Sequence, residues 1–211
     1  MSYIHLAEPG PPGSPTLVML HGTGGDEREF LAFGQSLASG VGFLSLRGKE
    51  PERGANRWFR RHAEGVFDVP NLIERADELG EYVQQALPDT PRIAVGFSNG
   101  ANIAAAVLLQ QPAAFDAALL LAPMVPYEPT ALPDGTLPDL GGKPILMVCG
   151  EHDPIVPRSN AQHLATLLAT AGADLQIHWH AGGHSPDQTA LFVAKAWLAR
   201  QKQALARPDA I

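Results

Sequence analysis

Short apolar runs alternate with longer amphipathic stretches along the chain, and this alternation limits the possible folds more than any other feature. Most of the runs are apolar at consecutive positions, which is typical of parallel strands that are covered on both faces. The predicted strands are Thr16–Leu20, Val41–Leu46, Arg92–Gly96, Ala117–Leu121, Pro144–Val148 and Leu175–Trp179. The predicted helices are Asp26–Leu37, Asn71–Leu87, Asn99–Gln110, Arg158–Ala171 and Asp187–Leu205. Strands that alternate with helices in this way predict an α/β protein with a doubly wound, mostly parallel sheet.

Composition narrows the class of protein further. The 211 residues are 45% hydrophobic, enough for one core, and we expect a single domain over residues 1–211. The 22 acidic and 15 basic residues give a net charge of −7, which argues against nucleic acid or an anionic membrane surface as the main partner. The single cysteine, Cys149, excludes a disulfide framework. Because no apolar run approaches the roughly 18 residues that cross a bilayer and no signal segment is visible, we expect no membrane span and a cytoplasmic location.

The segment Gly96-Phe97-Ser98-Asn99-Gly100 stands between a predicted strand and a predicted alanine-rich helix. In this position the pattern Gly-x-Ser-x-Gly is typical of a sharp turn that exposes the serine hydroxyl. Glycine is expected on both sides because side chains two residues before and after the serine would collide with the turn. The free N–H groups at the start of the helix stabilise developing negative charge. The pattern predicts a nucleophilic Ser98, and the alternative is a tight turn of purely structural use.

A serine hydroxyl needs a base to become a nucleophile, and the base needs a group that orients it. His184 follows the last predicted strand, and Asp153 closely follows the strand Pro144–Val148. Since ligands bind at the carboxyl ends of parallel strands, we expect both side chains at the same sheet edge as Ser98. The order Ser98, Asp153, His184 predicts a nucleophile, an orienting acid and a base. The alternatives are an Asp153 that only forms a turn and a His184 with a structural role.

The glycine-rich segment His21-Gly22-Thr23-Gly24-Gly25 follows the first strong strand. Acyl transfer places negative charge on the former carbonyl oxygen, and two backbone N–H groups are needed to hold it. We expect these from Thr23 and from Asn99, the residue after the predicted nucleophile. Only the main chain is used, so we expect the side chains of both residues to be secondary. The segment lacks the spacing of nucleotide-binding loops, so a phosphate site is the weaker alternative.

Five motifs together resemble one known family. LHGTGGDE, RGANRWF, GFSNGANIA, CGEHDPIVP and AGGH, in this order, are similar to the phospholipase/carboxylesterase family of α/β-hydrolases, which includes small bacterial carboxylesterases and acyl-protein thioesterases. The similarity covers the chain from about Thr16 to Trp197. It implies a near-minimal α/β-hydrolase fold without a large lid domain, with Ser98, Asp153 and His184 as the triad.

Two long connections, residues 47–70 and 123–143, are expected at the mouth of this site, since loops of that length are usually functional. Segment 47–62 carries six Arg and Lys residues against two Glu. These charges either form a rim for an anionic substrate or are paired with acidic neighbours, and we favour pairing. Trp58 and Phe59 of the same segment either line a substrate pocket or fill the core beneath the loop.

The sequence as a whole predicts a serine carboxylesterase that hydrolyses small short-chain or aromatic carboxylic esters through an acyl-enzyme, with no cofactor and no metal. Its partner is a small-molecule ester, and a homodimer is left open. A thioesterase or lysophospholipase of the same fold is one alternative. Another is a metal-dependent hydrolase that uses His178, His180 and His184, although zinc needs more ligands than this spacing offers. A binding protein without turnover is a third.

Overall fold

The computed structural model describes residues 2–132 and 134–207 of the chain. The strands of this part are β1 (His5–Glu8), β2 (Thr16–Leu20), β3 (Gly42–Leu46), β4 (Glu50–Glu52), β5 (Ala55–Arg57), β6 (Arg61–Ala63), β7 (Val66–Phe67), β8 (Arg92–Phe97), β9 (Ala117–Leu121), β10 (Pro144–Gly150) and β11 (Asp174–His180). The helices are α1 (Glu27–Leu37), α2 (Val69–Ala86), α3 (Asn99–Gln110), α4 (Arg158–Thr170) and α5 (Gln188–Leu205). Short 3₁₀ turns lie at Pro112–Ala114 and Pro129–Ala131.

Seven strands form one sheet in the order β1-β3-β2-β8-β9-β10-β11. Strand β1 pairs antiparallel with β3, and every other neighbouring pair is parallel. The doubly wound, mostly parallel sheet predicted from the sequence is therefore confirmed. Strand β1 was not predicted, because this exposed edge strand has only one half-buried residue, Leu6, and so carries no apolar pattern.

Helices cover both faces of the sheet. Helices α1 and α5 pack on one face with side chains such as Leu17 and Met19, and α2, α3 and α4 pack on the other with Val18 and Leu20. Alternate residues of β2 thus enter different cores, as the period of a strand requires. Helix α3 is the most enclosed, with eleven of its twelve residues buried. Its alanines let it lie close to the sheet.

Three of the five helices, α1, α2 and α5, begin at acidic caps. The carboxylate of Asp26 accepts hydrogen bonds from the backbone N–H groups of Arg28 and Glu29, each at 2.9 Å. Asp68 caps α2 by accepting from Asn71 N–H. Helix α2 therefore begins at Val69, two residues before the predicted start, because Pro70 is tolerated in a first turn where no N–H partner is needed.

The two long connections carry little regular structure. Segment 47–70 forms two small antiparallel hairpins, β4–β5 and β6–β7, that are separate from the main sheet. Residues 2–132 and 134–207 contain no separate lid domain. Within this described part, no helix is both long and apolar enough to cross a membrane.

Candidate active site

Ser98 occupies the turn between β8 and α3 in a strained backbone conformation, with φ 51° and ψ −114°. This region is unfavourable for a residue with a Cβ atom, and such strain clusters at functional sites. A Cβ atom at Gly96 would lie 2.5 Å from Gly100 O, and one at Gly100 would lie 1.9 Å from Leu20 O. The two glycines of the motif are therefore required by close backbone contacts at both sides of the serine.

The structure brings Ser98, His184 and Asp153 into one hydrogen-bonded chain. His184 Nε2 lies 2.8 Å from Ser98 Oγ, and His184 Nδ1 lies 2.8 Å from Asp153 Oδ2. Since an ionised carboxylate can only accept, Nδ1 donates to Asp153 and Nε2 is left to accept the Ser98 hydroxyl proton. The imidazole ring also packs against Phe97, with ring centroids 5.4 Å apart. This arrangement can remove a proton from Ser98 as the hydroxyl attacks an electrophile.

Asp153 is held rigidly beneath the imidazole. Its side chain is 2% exposed, and its second oxygen, Oδ1, accepts from the backbone N–H groups of Ile155 at 2.8 Å and Val156 at 3.0 Å. Asp153 therefore forms a turn through Oδ1, as the alternative predicts, and also contacts His184 through Oδ2. The two N–H donors fix which oxygen faces the histidine.

The backbone N–H groups of Thr23 and Asn99 have no hydrogen-bond acceptor among residues 2–132 and 134–207. Asn99 is the first residue of α3, where N–H groups have no intrahelical partner. His21 holds the Thr23 loop: Nδ1 donates to Gly22 O at 2.6 Å, and Nε2 accepts from Gly48 N–H at 3.0 Å. Burial lowers the pKa of His21, which agrees with an Nε2 that accepts from an N–H group. One ring nitrogen thus binds the loop and the other ties it to Gly48, after β3.

A cavity of about 490 Å³ lies beside this loop. Its walls are the loop backbone, residues next to Ser98 and His184, and the apolar side chains Phe30, Phe33, Phe97, Leu121 and Pro186. The rings of Phe30 and Phe33 stack 5.2 Å apart on α1. This cavity is not among the features predicted from the sequence. Two phenylalanines three residues apart, directly after the glycine-rich segment, were the available signal.

Trp58 and Phe59 lie in the core and not on the cavity wall. They are 2% and 0% exposed and belong to the apolar cluster that contains α2 and α3. The pocket role expected of them is corrected accordingly: segment 47–70 folds inward at this point, so both rings fill the space beneath it. The indole N–H of Trp58 donates to His21 O at 2.8 Å.

The basic residues of segment 47–62 are mostly paired, as the favoured interpretation predicts. The residues that contact carboxylates are Arg47 with Glu27, Lys49 with Glu78, Arg57 and Arg61 with Glu52, and Arg60 with Asp68. None of these basic side chains lines the 490 Å³ cavity. The only charged side chain in its lining is the exposed Glu29, among the described residues.

Two of the three histidines proposed as a metal site, His180 and His184, have other partners. His184 contacts Ser98 and Asp153, while His180 Nδ1 accepts from Gly182 N–H at 3.2 Å. In the described ranges no three His, Cys, Asp or Glu side chains group so that they could hold a metal ion. Burial also raises the pKa of the Cys149 thiol to about 12, so this cysteine stays protonated at neutral pH and offers no second nucleophile.

The parallel sheet, the strained serine turn and the Ser–His–Asp hydrogen bonds define the class of protein as an α/β-hydrolase. Residues 49–191 match the Dienelactone hydrolase family. The chain belongs to the dienelactone hydrolase family, within the α/β-hydrolase superfamily predicted from the sequence.

Individual relatives agree with this assignment. MhqD, a provisionally named hydrolase of Bacillus subtilis (strain 168), is 35% identical over 199 residues, which cover 92% of this chain and 96% of MhqD. The crystal structure of the Bacillus cereus carboxylesterase is 36% identical, with a TM-score of 0.86 and 93% of each chain covered. Atu2452 of Agrobacterium tumefaciens str. C58, a protein of unknown function, is 37% identical, with a TM-score of 0.86 and 94% and 96% covered. The chain is a hydrolase of the α/β-hydrolase type.

Proposed function

We propose that the protein is a serine carboxylesterase that hydrolyses small, uncharged carboxylic esters through an acyl-enzyme. The observation that carries the proposal is the pair of 2.8 Å contacts that links Ser98, His184 and Asp153 on a positive-φ turn. Ordinary serines do not combine a strained, half-buried position with a histidine contact and a buried carboxylate behind the histidine. The carboxylesterase title of the Bacillus cereus relative is consistent with this activity.

In the first step, Ser98 Oγ attacks the ester carbonyl carbon while His184 Nε2 takes the hydroxyl proton. Asp153 stabilises the imidazolium that forms, and the N–H groups of Thr23 and Asn99 donate to the oxyanion. The carbon–oxygen bond to the alcohol breaks when His184 returns the proton to the leaving oxygen. Water, deprotonated by the same histidine, then attacks the acyl carbon. The bond to Ser98 Oγ breaks as His184 returns this proton to Oγ, which releases the acid and restores the serine.

The cavity supports an apolar ester group as the substrate class. A cavity of about 490 Å³ with aromatic and aliphatic walls suits a short acyl chain or one aromatic ring. A carboxylate in this cavity would face Glu29 with no basic side chain in the lining to pair with it. We therefore expect the enzyme to favour uncharged esters over esters of the same size that carry a negative charge.

Rapid-mixing hydrolysis of p-nitrophenyl acetate tests the proposal. An acyl-enzyme predicts a burst of nitrophenol close to one per active site, followed by slower turnover, and intact-protein mass spectrometry of the quenched burst should find one added acetyl group. If a burst occurs but the quenched protein carries no added acetyl group, the covalent route is rejected.

A further inference from the structure

Three consecutive residues, Asn56, Arg57 and Trp58, make hydrogen bonds to four of the five residues of the glycine-rich loop, all except Gly22. Asn56 O accepts from Gly24 N–H at 2.9 Å, and Asn56 Nδ2 donates to Gly25 O at 2.9 Å. Trp58 Nε1 donates to His21 O at 2.8 Å. We call Asn56–Trp58 the clamp segment. It ties the loop down at both of its ends through groups that are not part of the loop.

The clamp segment also reaches the side chains of both residues proposed to bind the oxyanion. Arg57 Nη1 donates to Thr23 Oγ1 at 2.8 Å. The backbone N–H of Trp58 donates to Asn99 Oδ1 at 2.8 Å, across 41 residues of sequence. Each of these two side chains, expected from the sequence to be secondary, thus joins its own backbone to the clamp segment.

We propose that the clamp segment sets the distance between the Thr23 and Asn99 N–H groups, with Arg57 as its main positioning residue. This inference rests on the proposed esterase function. The two N–H groups belong to separate elements, the loop after β2 and the start of α3. A shared rigid connection keeps both donors aimed at one oxygen. Because a misplacement of catalytic groups by about 1 Å can lower the rate about 10²-fold, a connection that holds both N–H groups in place should raise kcat.

The surroundings of Arg57 favour positioning over stability as its role. Its side chain is only 3% exposed, and its carboxylate partner Glu52 lies 3.7 Å away. Glu52 is bound more closely by Arg61, at 2.8 Å and 3.0 Å. Burial of a weakly paired guanidinium is costly, and an apolar side chain of similar length would often be neutral or stabilising. Loss of Arg57 leaves Glu52 paired, so the fold should tolerate the change.

Four variants test the clamp segment. Arg57→Met removes the donor to Thr23, and Thr23→Val removes the acceptor while keeping the backbone N–H. Thr23→Ser restores the acceptor oxygen. Arg53→Met is the matched control, since Arg53 is an exposed arginine of the same β4–β5 hairpin and makes none of the clamp contacts. Thr23 is exposed, so its variants keep the test valid if Arg57→Met does not fold.

The decisive readouts are kcat, KM and the affinity for a trifluoromethyl ketone, which forms a tetrahedral oxyanion on the serine. We expect kcat for p-nitrophenyl acetate to fall about 10–100-fold in Arg57→Met and about 10-fold in Thr23→Val, with KM changed less than about threefold. Ketone affinity should fall in parallel, and Thr23→Ser should recover most of the Thr23→Val loss. Arg53→Met should match the wild type.

Two results would overturn the clamp proposal while leaving the esterase proposal intact. One is full kcat and ketone affinity in both Arg57→Met and Thr23→Val. The other is a loss confined to KM, or shared equally by Arg53→Met. A failure of the esterase proposal would look different, because the wild-type protein itself would then form no ketone adduct and no acyl-enzyme.

Discussion

The two sides of Ser98 are built in different ways. On one side, His184 and Asp153 lie in the loops after strands β11 and β10; His184 contacts Ser98 at 2.8 Å, and Asp153 contacts His184 at 2.8 Å. On the other side, Thr23 and Asn99 are proposed to act only through backbone N–H groups, and their side chains are hydrogen-bonded to the clamp segment. The comparison indicates that the proton-transfer side depends on residue types, whereas the oxyanion side depends on tertiary contacts from a distant segment.

The largest effect is expected on the proton-transfer side. Ser98→Ala should lower kcat for p-nitrophenyl acetate about 10⁵–10⁶-fold, because the nucleophile is lost, and His184→Ala should be similar, because groups that act as a unit fail together. Steady-state kinetics with circular dichroism as the folding control measures this. Substantial turnover by folded Ser98→Ala protein would remove the serine from the mechanism.

Asp153→Asn should lower kcat about 10⁴-fold, by analogy with triads in general. The N–H groups of Ile155 and Val156 hold one oxygen of residue 153, so the amide nitrogen of the variant must face His184. The imidazole then accepts at Nδ1 and carries its proton on Nε2, where it cannot take the Ser98 proton. A variant with near wild-type kcat would mean that the carboxylate does not orient the base.

Phe33→Ala should raise KM about tenfold for p-nitrophenyl benzoate and change the acetate ester little, because only the larger acyl group fills the cavity beside Phe33. Phe192→Ala is the matched control, since Phe192 is 72% exposed on α5. Parallel kinetics of both esters would measure the difference. If Phe33→Ala affected the acetate and benzoate equally, the cavity would not be the acyl site, and a panel of aromatic alcohol esters would then locate the ring.

The smallest effect is expected on stability. It concerns the ion pair between Arg47, after β3, and Glu27, the first residue of α1. The bidentate contact from Arg47, at 2.6 Å and 2.7 Å, lowers the pKa of Glu27. A carboxyl group with a lowered folded-state pKa stabilises the fold above its unfolded pKa, near 4.5, and loses this contribution as the pH falls further. Glu27→Gln should lower the free energy of unfolding by about 2 kcal/mol at pH 7 and by less at pH 3.

Urea denaturation at both pH values measures this difference. Glu81→Gln serves as the control, because Glu81 is an exposed residue of α2 and its loss should change the unfolding free energy little at either pH. An equal destabilisation by Glu27→Gln at pH 7 and pH 3 would contradict the role assigned to the ion pair.

Most of the fold and the reacting side chains could be predicted from the sequence for a physical reason. Strands buried on both faces need consecutive apolar residues, and a serine on a strained turn needs Gly96 and Gly100, so both leave local patterns. Strand β1 and hairpins β4–β5 and β6–β7 leave none, since they are short and largely polar or exposed. The bond from Trp58 N–H to Asn99 joins residues 41 apart through a backbone group, which no residue pattern encodes.

Labelling with a fluorophosphonate tests the central claim most directly, since this reagent reacts only with a serine that a base has activated. Mass spectrometry of the digested protein should find the label on Ser98 within the peptide that contains Gly96-Phe97-Ser98-Asn99-Gly100, with labelling abolished in Ser98→Ala and strongly slowed in His184→Ala. Label on a different residue, or an unlabelled protein that still hydrolyses esters, would contradict the account.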